Sequence, residues 1–110
     1  RSKLGDREGA IRDYSEALRR DPKYTDALIN RGREFLLMGD LRGAVEDYSE
    51  AIRIDPKLPL PYYNRGLAKR SLADLAWARR DFKRALEVAP VDWPSRPAVL
   101  KDLESISESP

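Results

Sequence analysis

Apolar side chains recur at the three- and four-residue steps of a helix along most of this chain. Ala10, Ile11, Tyr14, Ala17 and Leu18 share one face and predict a helix from Asp6 to about Arg20. Asp21-Pro22 ends it, because the residue before a proline avoids helical backbone. The same pattern predicts helices from about Asp26 to Met38, Asp40 to Ile54, Pro61 to Leu72 and Asp74 to Val88. Gly5-Asp6 and Gly39-Asp40 read as a left-handed helix end followed by an N-cap. Ala73-Asp74 keeps the cap and loses the glycine, so that turn is expected to be reshaped. After Pro90 the register breaks. Val91-Asp92-Trp93-Pro94 reads as a turn, and Ser95 as the cap of a last helix with Val99, Leu100, Leu103 and Ile106 on one stripe.

The helices come in copies. Pro22, Pro56 and Pro90 lie 34 residues apart, and three further sets recur in step: Ala10, Ala44 and Ala78; Tyr14, Tyr48 and Phe82; Ala17, Ala51 and Ala85. In the central copy Leu28, Gly32 and Phe35 precede Ala44, Tyr48 and Pro56, and the next copy keeps Tyr62, Gly66, Ala78, Phe82 and Pro90. This pattern resembles the tetratricopeptide repeat. Arg31 and Arg65 depart from it, standing where the family usually has leucine, and Lys69 stands where it usually has an aromatic. The resemblance implies an all-α fold, a right-handed α-α superhelix or solenoid of antiparallel helical hairpins. Residues 1–92 then hold the repeats, as a truncated copy over 1–24 and full copies over 25–58 and 59–92. Residues 93–110 hold a capping helix and a frayed tail from Ser107 to Pro110.

Composition narrows the chemistry. The 110 residues are 41% hydrophobic and 36% charged, too apolar for disorder and without a run long enough to span a bilayer. There is no cysteine and no histidine, which removes thiol and imidazole catalysis and the usual zinc ligands. The net charge of +2 is spread among interspersed signs, a weak footprint for nucleic acid. No cofactor, metal, nucleic acid or membrane partner is expected, and with no signal segment in view the chain reads as cytoplasmic. The carboxylates Asp13, Glu16, Glu46, Asp47 and Glu50 have no nucleophile or base beside them, so no enzymatic activity is expected.

Two residue sets stand out. An arginine on a normally buried face needs a counter-charge, so Arg31 and Arg65 are expected to bond Asp13, Asp47 or Asp81 in a structural ladder between repeats. Gly32 and Gly66 mark close helix approach, where a large side chain would push the helices apart. The resemblance further implies that the first helices line a concave groove for peptides or partner helices. Helical spacing places Asp26, Ile29, Asn30, Arg33 and Leu37 on that face in one copy, and Leu60, Tyr63, Asn64, Leu67 and Arg70 in the next. The partner-binding candidates are Asn30, Arg33, Leu37, Tyr63, Asn64, Leu67 and Arg70. Asparagines can bond peptide main chain, arginines a carboxylate, and the apolar residues give contact area. One subset of the family clamps chaperone tails; Asn30 fits its middle asparagine, but Leu60 and Asn64 stand where a lysine and an arginine belong.

The function expected is a protein-interaction scaffold. The alternative is a structural piece of a longer solenoid. Arg1 to Leu4 alone represent the first helix of the first copy, so Leu4, Ile11, Tyr14 and Leu18 are expected to form an exposed apolar edge through which copies associate.

Overall fold

The structure, a computed structural model, describes residues 3–106. Six helices follow one another among them: α1 (Lys3–Arg20), α2 (Thr25–Met38), α3 (Leu41–Ile54), α4 (Pro59–Ser71), α5 (Leu75–Val88) and α6 (Arg96–Ser105). Each packs against the next, and α2 also touches α4. None is long and apolar enough to cross a membrane. The expected fraying of Ser107 to Pro110 lies outside the described residues.

The turns follow from short-range chemistry. Gly39 takes φ 86°, its N–H bonds Leu36 O and the Asp40 N–H bonds Phe35 O, which closes α2. The Asp40 carboxylate then accepts from Gly43 N at 3.0 Å and opens α3. The turn between α4 and α5 is not reshaped: Ala73 takes φ 65°, Ala73 and Asp74 donate to Arg70 O and Lys69 O, and Asp74 caps Trp77 N at 3.4 Å. Packing of α4 against α5 holds an alanine where glycine serves in the preceding copy.

Three boundaries differ from expectation. Gly5-Asp6 is no turn, because α1 runs through it from Lys3; among the described residues no helix packs ahead of α1, so nothing demands a reversal there. Helix α4 opens at Pro59, two residues before Pro61, since both prolines suit a first turn in which N–H groups are free anyway. Ser95 is the N-cap of α6 by position but its side chain makes no capping bond. Its backbone is already helical, φ −84° and ψ −3°, which turns the side chain away from the usual capping geometry.

The core is a strip of three clusters. Leu18, Ala27, Leu28 and Ala51 join α1, α2 and α3; Ala44, Tyr48 and Ala68 join α3 to α4, with Ile29, Phe35 and Leu36 of α2 packed against them; Ala78, Phe82, Val99 and Ile106 join α5 to α6. Leu18 is therefore buried, and Tyr14 packs against its cluster, so the apolar edge expected on α1 reduces to Leu4, 54% exposed, and the half-buried Ile11. On α6, Leu100 falls off the buried stripe and faces outward, whereas Val99 is fully enclosed.

Close approach centres on two glycines. A Cβ on Gly32 would lie 2.8 Å from the Tyr48 ring, and one on Gly66 would lie 2.6 Å from the Phe82 ring. Real Cβ atoms do not come that near, so any side chain there must displace a fully buried aromatic.

Candidate functional site

The arginines of the departing positions turn inward. Arg31 donates Nε and Nη2 to Asp47 at 2.8 and 2.7 Å, and Arg65 does the same to Asp81 at 2.8 Å in both bonds. These forks lie within one hairpin. The bond that crosses to the preceding copy goes to a hydroxyl: Arg31 to Ser15 Oγ and Arg65 to Ser49 Oγ, both at 3.1 Å. Asp13 has no place in the arrangement. It is exposed on α1, and the arginine that would have served it is committed to Asp47 and Ser15. Asp47 holds the Arg31 guanidinium charged, with its pKa raised chiefly by the fork and opposed by burial.

An aromatic lies beside each fork, supplied from opposite helices in the two copies. Arg31 sits 5.7 Å from the Phe35 ring of α2, while Arg65 sits 5.5 Å from the Trp77 ring of α5. Lys69 occupies the place of Phe35, and Trp77 that of Gly43, one repeat later. The ring has changed helix and the cation–π contact persists.

On the opposite side, α2 and α4 enclose a groove of about 420 Å³. Ile29, Asn30, Arg33 and Leu37 line one wall and Leu60, Asn64 and Leu67 the other. Asn30 and Arg33 are exposed, Asn64 is half-buried, and Leu37 and Leu60 are 51% and 40% exposed. Asp26, exposed on the first turn of α2, and Arg70 on α4 are not among the lining residues.

Helix α6 ties down one groove residue, Tyr63. Asp102 of α6 accepts from the Tyr63 hydroxyl at 2.6 Å and from Arg70 Nη1 at 3.1 Å, and the Tyr63 ring packs on Phe82 and Trp93. Leu67 also leans on the α5–α6 cluster. Of the seven residues expected to meet a partner, Asn30, Arg33, Leu37 and Asn64 are thus left open, while Tyr63, Leu67 and Arg70 are partly engaged by the chain itself. Burial, with the neighbouring Asp102 carboxylate, pushes the Tyr63 phenol up to about 12.

Three groove residues escaped the sequence reading: Leu36, Tyr48 and Ser95. Tyr48 is fully buried as a core residue, yet it also lines the groove, and its hydroxyl makes no hydrogen bond of good geometry although the Asn64 side chain lies beside it. Burial raises its pKa, with Asn64 opposing. The signal was the aromatic class itself: copies two and three alternate Tyr48 and Phe82, and only the tyrosine brings a polar atom. Among the described residues no group of three or more acidic, histidine or cysteine side chains is placed to hold a metal.

Known proteins share this architecture. The first repeat domain of Spaghetti (RPAP3), solved with the HSP90 peptide SRMEEVD, aligns with 26% identity and TM-score 0.85 over 96% of this chain and 80% of that one. The second such domain of human RPAP3, solved with the HSP70 peptide SGPTIEEVD, gives 25% and 0.84 over 97% and 86%. The Arabidopsis OM64 repeat domain gives 28% and 0.82 over 92% and 83%. Compared with curated protein sequences, the chain finds no match. The sequence profile described as TPR repeat matches residues 32–71, and the one described as Tetratricopeptide repeat matches residues 1–24 and 61–92. With the right-handed stack of helical hairpins, these matches place the chain in the tetratricopeptide repeat family.

Proposed function

We propose that this chain is a non-catalytic interaction module that takes an extended peptide segment into the groove between α2 and α4. The observation that carries the reading is the pair Asn30 and Asn64, equivalent in the repeat and both lining the groove. An amide both donates and accepts, so two at repeat spacing can hold main chain without reading its side chains. Selectivity then falls to Arg33, which meets no carboxylate among the described residues, and to Leu37 and Leu60. The ligand is a segment with one acidic residue flanked by apolar ones. Solved relatives bound to the peptides SRMEEVD and SGPTIEEVD support a peptide ligand in general. Leu60 and Asn64, standing where a chaperone-tail clamp needs cations, and Arg70, already bonded to Asp102, argue for a different sequence.

Self-association through the outer face of α1 has less to build on, with Leu18 buried and Tyr14 packed. Selection from a displayed random-peptide library, followed by fluorescence polarisation, tests the groove. Selected peptides should lose about tenfold in affinity with Asn30→Ala or Asn64→Ala, the loss of one well-made hydrogen bond. Unchanged affinity in both variants would remove the groove from consideration.

A further inference from the structure

The α5 surface away from the groove departs from its own repeat. In α3 the equivalent positions are Gly43, Glu46 and Glu50; in α5 they are Trp77, Arg80 and Arg84, so two acidic residues become basic and a glycine becomes the largest side chain available. With Tyr62, Arg65, Lys83 and the carboxylates Asp81 and Glu87 these residues line a depression of about 630 Å³ between α4 and α5. Trp77 is 36% exposed, and three cations gather round its ring: Lys69 Nζ at 3.8 Å, with Arg65 and Arg80 at 5.5 and 5.7 Å. Arg65 is neutralised by Asp81, and Arg84 pairs with Glu87. Lys69, Arg80 and Lys83 meet no carboxylate among the described residues.

The fold does not need this cluster, since α3 forms the same helix with glutamates in the same places. A ring quadrupole lets cations crowd together, and with Asp81 and Glu87 committed to Arg65 and Arg84 the field of the remaining cations turns outward. We propose that the Trp77 depression is a second binding site, for a short acidic peptide segment whose carboxylates meet Arg80 and Lys83 while its apolar atoms cover the free part of the Trp77 ring, with Lys69 adding charge from beside that ring. A short segment fits better than a nucleic-acid strand. A strand would track along several repeats, and the next surface it met would carry Glu46 and Glu50, which repel phosphate.

The test is fluorescence anisotropy of a labelled hexaglutamate peptide at low salt. The wild-type chain should bind it, and Arg80→Glu with Arg84→Glu, which gives α5 the residues of α3, should weaken binding roughly tenfold or more while leaving the helical circular dichroism unchanged. Trp77→Ala should weaken it less. Arg12→Glu, exposed on α1, should leave it within about twofold. No binding by the wild type, or an equal loss with Arg12→Glu, would overturn the proposal. So would tighter binding of a labelled oligouridylate of the same length, which would make the site one for nucleic acid.

Discussion

Arg65 shows why a charge at a normally apolar repeat position is tolerated. Its fork to Asp81 satisfies a carboxylate only 3% exposed, and Ser49 takes a third donor. Removing one partner leaves the other buried and unpaired, whereas removing both is far cheaper. Asp81→Ala should therefore cost about 2–3 kcal/mol, the lower side of the usual range because the guanidinium keeps some contact with water. Arg65→Leu combined with Asp81→Ala should be more stable than Asp81→Ala alone, as urea denaturation would show; additive losses would mean the pair is not coupled. The arginines and aspartates were legible in sequence because a charge among apolar anchors must find a partner. Ser15 and Ser49 were not, since a serine at a helix surface announces nothing until the guanidinium reaches it.

Among the elements, the α4–α5 turn stores the clearest strain. Ala73 at φ 65° pays the left-handed penalty that Gly39 avoids at φ 86°. That penalty is about 1–2 kcal/mol for an L-residue, set against about 0.5–1 kcal/mol for the added freedom of glycine in the unfolded chain. Ala73→Gly should stabilise the protein by about 0.5–1 kcal/mol, read as a higher urea midpoint at unchanged slope. A fall would show that the turn depends on the alanine methyl. Sequence alone suggested that this turn would change shape, because it weighed a local penalty without the packing of two helices on either side. The reverse error fell at Gly5, where a local turn signal gave way to a continuous α1 from Lys3 to Arg20.

For the molecule as a whole, the repeat period made the fold legible and its end did not. Anchors at a spacing of 34 specify hairpins that stack in one direction, so each helix position up to Val88 follows from the one before. Helix α6 lies outside that register. Nothing in the spacing links Asp102 to Tyr63 and Arg70, residues 39 and 32 positions away, so the engagement of those two side chains could not be read in advance. The same contacts give α6 an energetic role that repeat arithmetic omits. Val99 is fully enclosed beside Ala78 and Phe82. In a stack whose units touch only their neighbours, a defect there should spread one repeat at a time. Val99→Asp buries an unpaired carboxylate and should undock α6. Hydrogen exchange should then lose protection first in α5 and α4, with α1 and α2 little changed. Loss spread evenly over all the helices would mean that the stack unfolds as a single unit, and that α6 supports the groove by holding the entire molecule together.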